Sequence, residues 1–180
     1  MHVLRSTAGL SKAECYRELN GQLGALLAGE RDGLANAANM AALLFQGLPD
    51  INWAGFYFLQ GGDLVLGPFQ GKIACVRIAL GRGVCGTAAQ TGRTLIVPDV
   101  DTFPGHIACD AASRSEIVVP LIQAGRLLGV LDLDSPRQAR FDQEDGAGLG
   151  AAVEMLLQGS DMARLADGGA AAGTHLSSGS

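Results

Sequence analysis

The apolar positions of this chain follow a helical period, then a period of two, then a helical period again. From Ser11 to about Gly29 (SKAECYRELNGQLGALLAG), Cys15, Leu19, Leu23, Leu26 and Leu27 recur at near-helical spacing, and Ser11 with Glu14 three residues on has the form of a capping box. The pattern predicts one amphipathic helix with Cys15 on its apolar side, where a lone thiol packs as a small hydrophobe. A second helix, about Gly33 to Phe45, is rich in Ala, Leu and Met and is broken by Gly47 and Pro49. From Asn52, NWAGFYFLQ, a GGD turn and LVLGPFQ read as a β-hairpin. Alternation puts Trp53, Gly55, Tyr57 and Leu59 on one face and Ala54, Phe56 and Phe58 on the other. Trp53 and Tyr57 then have two readings. They are core aromatics, or they wall a pocket in which the ring faces hold an apolar group while the indole or phenol donates a hydrogen bond.

GKIACVRIAL extends the strand pattern, with Ala74, Val76 and Ile78 on one face and Ile73, Cys75 and Arg77 on the other. GRGVCGTAAQTG predicts a glycine-bearing turn opening a short helix. Cys85 falls in or beside its first turn, where free N–H groups and the helix dipole favour a thiolate. The GRG run lacks both the Lys-Ser/Thr of a phosphate loop and the full glycine spacing of a dinucleotide site. TLIVPDV reads as a short strand, and DTFPGHIACDAAS as a polar loop carrying His106 and Cys109.

SEIVVPLI, QAG and RLLGVLDLD predict an antiparallel hairpin with a three-residue loop in which Gly125 takes the left-handed position. Pairing Ile122 with Arg126 sets Pro120 opposite Leu128, Val118 opposite Val130 and Glu116 opposite Asp132, with Asp134 diagonal on the same face. Like charges facing each other across a sheet cost some tenths of a kcal/mol to about 1 kcal/mol. Such acids are either solvated at a strand end, neutralised by a bound cation, or partly protonated and able to donate to a ligand. FDQEDGAGLGAAVEMLLQG closes the pattern as a helix capped by Asp142, with Asp145 three residues later. Beyond Gly159 the sequence turns small and low in complexity, with His175 inside it. One domain is expected over 1–159, and a disordered tail over 160–180.

Composition narrows the classes. The 180 residues suit a single domain; 48% are hydrophobic and 17% charged, and no apolar run nears the roughly 18 residues that span a bilayer. MHVLRSTAGLSKAE lacks the apolar segment of a secretory signal, which points to a reducing cytoplasm. There the four cysteines are reactive thiols, metal ligands or core residues rather than permanent crosslinks. A net charge of −5 without any Lys/Arg cluster offers nothing to nucleic acid or an anionic membrane, so a small molecule is the expected partner.

Two helices, a hairpin, a strand, a short helix, a strand, a long loop, a hairpin and a closing helix make an α+β domain on one mainly antiparallel sheet with flanking helices. The order resembles the GAF domain, whose pocket lies between the sheet and the loops over it. NWAGFYF, GPFQGKIACVRI, GRGVCGTA, HIACDAASRSEIVVPL, GVLDLDSP and FDQEDGAGL resemble, more narrowly, the free methionine-(R)-sulfoxide reductases, over roughly Ser11 to Leu157. The cysteine spacings of ten and twenty-four, the acid seven residues on and the D-x-D are the specific part of the match. The resemblance implies that Cys109 is the catalytic thiol and that Cys75 and Cys85 are candidates for recycling it. It also implies that Glu116, Asp132 and Asp134 form an acidic substrate site lined by Trp53 and Tyr57. It brings free methionine sulfoxide as substrate and a thioredoxin-like reductant as partner, with no cofactor and no metal. Cys15 and the tail lie outside the pattern.

The residue types fit that chemistry. Sulfoxide reduction needs a thiolate to attack sulfur and a proton source for the oxygen, which ends as water. Cys109 would become a sulfenic acid, Cys75 or Cys85 would condense with it, and an external dithiol would reopen the disulfide. Glu116 and Asp134 are assigned to the sulfoxide oxygen and Asp132 to the α-ammonium. Cys75 is preferred as resolving thiol, because a side chain rising from the sheet floor can meet a loop folded over it. The competing readings are a non-catalytic GAF ligand sensor and a zinc site. Against the sensor, Asp134-Ser135-Pro136 stands where nucleotide-binding relatives tend to carry Asn-Lys. The zinc site would use Cys75, Cys85, His106 and Cys109, but no short C-x-x-C pair supports it. The apolar N-terminal helices suggest a homodimer.

Overall fold

The computed structural model describes residues 5–105, 112–162 and 164–166. Four helices and six strands follow the predicted order. They are α1 (Lys12–Leu27), α2 (Gly33–Gly47), β1 (Trp53–Gln60), β2 (Asp63–Gly71), β3 (Arg77–Ala79), α3 (Gly83–Thr91), β4 (Leu95–Val97), β5 (Ser115–Gln123), β6 (Arg126–Ser135) and α4 (Gln143–Gly159). The strands form one sheet in the order β3-β2-β1-β6-β5-β4, with every neighbouring pair antiparallel. Both predicted capping boxes are present: Ser11 with Glu14 opens α1, and Asp142 with Asp145 opens α4.

The sheet divides the core in two. Ala54, Phe56 and Phe58 of β1, Ile117 and Val119 of β5, and Leu131 and Leu133 of β6 face α1, α2 and α4, where they meet Leu19, Leu23, Met40, Leu44, Leu149 and Leu156. Full burial of each such side chain stabilises the fold by roughly 1.5–3 kcal/mol, which makes this the stability-bearing face. Cys15 belongs to it. On the opposite face Trp53, Tyr57, Val118 and Val130 meet Val84, Cys85, Ala88 and Ala89 of α3. The expected alternation of β1 is thus realised in both directions.

Three expectations need correction. The β5–β6 hairpin turns through two residues, Ala124 and Gly125, with φ of 51° and 76°, so Gln123 pairs with Arg126; left-handed φ at both positions is the geometry of a tight primed turn. The pairing then moves from Ile122–Leu127 to Leu121–Gly129, leaving Leu128 as an extra residue. A one-residue shift at the turn and another at the bulge add to two. Beyond the bulge each side chain therefore keeps its expected face while its partner changes: Glu116 lies opposite Asp134, Asp132 lies opposite Val118, and Glu116 and Asp132 are diagonal. Between turn and bulge the faces exchange, so that Leu128 joins the helix-side core and Leu127 packs on the other side.

The strand expected over GKIACVRIAL shrinks to Arg77–Ala79, paired with Val65 to Asp63. The preceding residues leave the ladder because side chains capture their carbonyls: Trp53 Nε1 donates to Lys72 O at 3.0 Å, and the Tyr57 hydroxyl to Cys75 O at 3.1 Å. Packed structure also continues past Gly159. Asn36 donates to the buried Ser160 hydroxyl, Asp161 N–H bonds to Arg31 O, and Met162 and Ala166 are buried in the helix-side core. Packing therefore runs past the boundary expected at 159 as far as Ala166, and residues 167–180 lie outside the described ones.

Candidate active site

The site is built where the β1, β5 and β6 ends meet the start of α3. Trp53 of β1 lies opposite Asp134 of β6, which in turn lies opposite Glu116 of β5, so one row across the sheet reads aromatic, acid, acid. The next row sets Gly55 against Asp132 and Asp132 against Val118. Gly55 is required here, since a β-carbon would run into the Phe69 side chain and the Trp53 ring. Without it the indole stacks on Phe69 at 5.4 Å between centroids and on Tyr57 at 6.0 Å. These rings form a wall beside the acid floor.

Trp53, Tyr57, Ile73, Ala74, Arg82, Cys85, Ser113, Glu116, Asp132 and Asp134 all border one cavity, whose free volume is about 30 Å³. That is space for water rather than for an amino acid, so admitting one requires the mouth to give. The mouth includes Ile73, which is 89% exposed on the loop between β2 and β3. Tyr57 and Trp53 hold this loop through the two carbonyl bonds already described. Their polar tips are therefore engaged in positioning the segment that carries Cys75, while their rings face the cavity.

Cys85 is the third residue of α3 and is buried against the acids, with its sulfur 3.8 Å from Glu116 Oε1. Sequence reasoning expected the helix start to favour its thiolate. The structure reverses this: burial first, then the charges of Asp132 and Glu116, push the Cys85 thiol well above its ordinary range. Magnitudes explain the outcome. A helix terminus contributes about 0.3–1 kcal/mol, too little to change a pKa by one, whereas complete burial moves a pKa by up to about 3–5.

The acids obey the same physics. Glu116 is pushed well up, by burial first and then by Asp132 and Asp134, which favours its protonated form. Burial raises Asp132 to about 7, with hydrogen bonds from Cys85 and Glu116 opposing the rise. Asp132 is only 7% exposed, and its Oδ1 has no hydrogen-bond partner among the described residues. A buried carboxylate oxygen left in this state has a desolvation cost of about 1–3 kcal/mol or more. An arriving cation or donor recovers it.

Of the residues singled out from sequence, Trp53, Tyr57, Cys85, Glu116, Asp132 and Asp134 are brought together around this cavity. Cys75 sits beside it, half-buried on the loop rather than on a strand. Cys109 and His106 lie outside the described residues, and the chain resumes at Ala112 with Ser113 on the cavity wall. Arg82 and Ser113 were not anticipated. The signal for Arg82 was available, because a cation in the turn before α3 must sit near whatever that helix start faces. Ser113 receives a hydrogen bond from Asn52 Nδ2 at 3.1 Å, a contact between segments far apart in sequence.

An antiparallel six-stranded sheet with long helices on one face and a polar recess under loops on the other is the architecture of a GAF domain, and the family model for the GAF domain matches residues 15–163. The chain is 56% identical over 147 residues to free methionine-R-sulfoxide reductase of Escherichia coli, across 82% of this chain and 89% of that protein. It is 46% identical over 147 residues to the Saccharomyces cerevisiae protein of the same name, across 77% and 82% of the two chains. The X-ray structure of free methionine-R-sulfoxide reductase from Neisseria meningitidis in complex with its substrate superposes with a TM-score of 0.86 at 47% identity, covering 91% of this chain and 98% of that one. The chain belongs to the GAF-domain family and, within it, to the free methionine-(R)-sulfoxide reductases.

Proposed function

We propose that this protein reduces free methionine-(R)-sulfoxide to methionine through thiol chemistry. The observation that carries the reading is the buried acid floor, with its partnerless Asp132 oxygen among the described residues, set beside a thiol and under an aromatic wall. Such a floor asks for a ligand that is cationic at one end and accepts a proton at the other. A free amino acid sulfoxide is both. Asp132 takes the α-ammonium, and protonated Glu116, next to Asp134, donates to the sulfoxide oxygen and draws charge from sulfur as it is attacked. The ring faces of Trp53 and Tyr57 hold the methyl and methylene groups.

Cys109 is the nucleophile. Its thiolate takes up the oxygen to become a sulfenic acid, and methionine leaves. A second thiol then attacks that sulfur, forming a disulfide and releasing the oxygen as water, so two thiols are oxidised for each sulfoxide reduced. Cys75 takes the resolving role, on different grounds from the strand position first expected. It lies on a partly exposed loop at the mouth, whereas Cys85 is buried among acids that oppose its ionisation. A thioredoxin-like dithiol reopens the bond by exchange. A cytoplasmic setting and a homodimer through α1 and α2 belong to the same proposal, the second testable by light scattering in solution.

The deciding assay uses the separated R and S epimers of free methionine sulfoxide and a peptide containing the sulfoxide. Turnover is expected for the free R epimer alone and should vanish in Cys109→Ser. Equal rates with the peptide would overturn the requirement for an α-ammonium, and no turnover of any substrate would overturn the reading. Mapping the disulfide after one turnover without reductant separates Cys75 from Cys85.

A further inference from the structure

We propose that Cys85, Glu116 and Asp132 also form a binding site for a thiophilic divalent cation, of which Zn²⁺ is the type, and that the metal and the substrate exclude one another. The ligand atoms of these three side chains lie within 4.8 Å of one another, and all three residues are buried. The Cys85 sulfur and Glu116 Oε1 are 3.8 Å apart. Around tetrahedral zinc, with Zn–S of about 2.3 Å and Zn–O of about 2.0–2.2 Å, ligand atoms stand roughly 3.3–3.7 Å apart. Closing the difference takes side-chain movements of some tenths of an ångström to about 1 Å, within reach of small rotamer adjustments.

A second observation points to a ligand independently of the clustering. Asp132 Oδ1 is buried without a hydrogen-bond partner among the described residues, on a side chain that borders the same cavity. One thiolate and two carboxylates carry three negative charges against the metal's two positive ones. The cavity beside them has room for the water that completes a four-coordinate shell. Sulfur in the set selects Zn²⁺ or Co²⁺ over Mg²⁺ or Ca²⁺, which prefer oxygen alone. Two of the three ligands are those assigned to the substrate's oxygen and ammonium, so a bound metal blocks both subsites. This exclusion rests on the functional reading above; the metal site itself does not.

Cobalt(II) is the probe, titrated without oxygen into the reduced full-length protein. One equivalent should produce a thiolate-to-cobalt charge-transfer band that Zn²⁺ abolishes and millimolar Mg²⁺ leaves in place. The band should be lost in Cys85→Ser and kept in Cys15→Ser. Removing a group that merely supports a ligand commonly weakens metal binding 10–100-fold, so Asp132→Asn should weaken Co²⁺ binding by at least about tenfold. Thermal melts of the variants establish that they are folded. A missing band, or one that survives in Cys85→Ser, overturns the site. In turnover, Zn²⁺ should raise the apparent KM for free methionine sulfoxide and leave kcat unchanged; a fall in kcat alone overturns the mutual exclusion. A normal cobalt band with no turnover would refute the reductase reading and keep the metal site, and turnover with no band would do the reverse.

Discussion

Asp145 and Asp132 are both buried, at 0% and 7% exposed, and the fold treats them in opposite ways. Asp145, in the first turn of α4, accepts from Lys12 Nζ at 2.6 Å, Arg140 Nη1 at 3.0 Å, the Tyr16 hydroxyl at 2.8 Å and the Asp142 N–H at 2.9 Å. Its two oxygens are saturated by partners from α1, from the segment before α4 and from α4's own cap. Asp132 has a thiol and other carboxylates for neighbours and one oxygen with no partner among the described residues. The first acid ties helices together; the second keeps an oxygen that a ligand can engage. Burial alone does not distinguish a structural acid from a functional one. The partners do.

That contrast is sharpest in stability. Asp145→Ala leaves Lys12, Arg140 and Tyr16 without their common acceptor and should cost about 3–5 kcal/mol in chemical denaturation, with activity per folded molecule preserved. A loss no larger than a surface substitution gives would erase the distinction. Glu116→Gln removes the proton donor and should lower kcat/KM about 100-fold, equivalent to about 2.7 kcal/mol, with no fall in the midpoint of unfolding, since a carboxyl whose pKa the fold raises gives up stability at neutral pH.

Asp132→Asn tests the cost of the site through pH. Because the folded protein raises this carboxyl to about 7, it retains a proton that the unfolded chain has already released, so its contribution to stability is full below the ordinary Asp range and is lost as pH rises through about 7. The variant cannot make that loss. It should therefore gain stability relative to the unaltered protein between pH 4 and pH 8, on the order of a few kcal/mol, read from denaturation curves at several pH values. A constant difference across that range would sink the idea. The smallest effect is expected from Tyr57→Phe, which loses the bond to Cys75 O, worth about 1 kcal/mol. Formation of the disulfide should slow about fivefold by that loss while the first attack keeps its rate, as read by trapping the sulfenic acid during a single turnover.

Much of the helix-side core was legible because it depends on periodicity. The spacing of Leu19 and Leu23, the alternation of Ala54, Phe56 and Phe58, and both capping boxes are local patterns whose meaning survives any reasonable packing. The site was legible in its membership and less so in its geometry. Glu116, Asp132 and Asp134 were expected on one face, and they share it, because face depends only on parity. Their pairing depended on the length of a turn and on the Leu128 bulge, which alternation cannot register. Cys75 was expected on a strand because GKIACVRIAL alternates well. It left the ladder because Trp53 and Tyr57, about twenty residues earlier, offered its loop other hydrogen bonds.

The sequence by itself therefore determined the order of elements, the division into an apolar face and a chemical face, and the residue types available for redox and acid chemistry, since composition and local period are properties of the chain. Only the tertiary structure decided the ionisation of those groups. Whether Cys85 is a thiolate at a helix start or a buried thiol, and whether Asp132 is neutralised like Asp145 or left with an open oxygen, depends on which distant side chains surround each one and how far water is excluded. Charge and solvation act through space, and that arrangement exists only once the chain has folded.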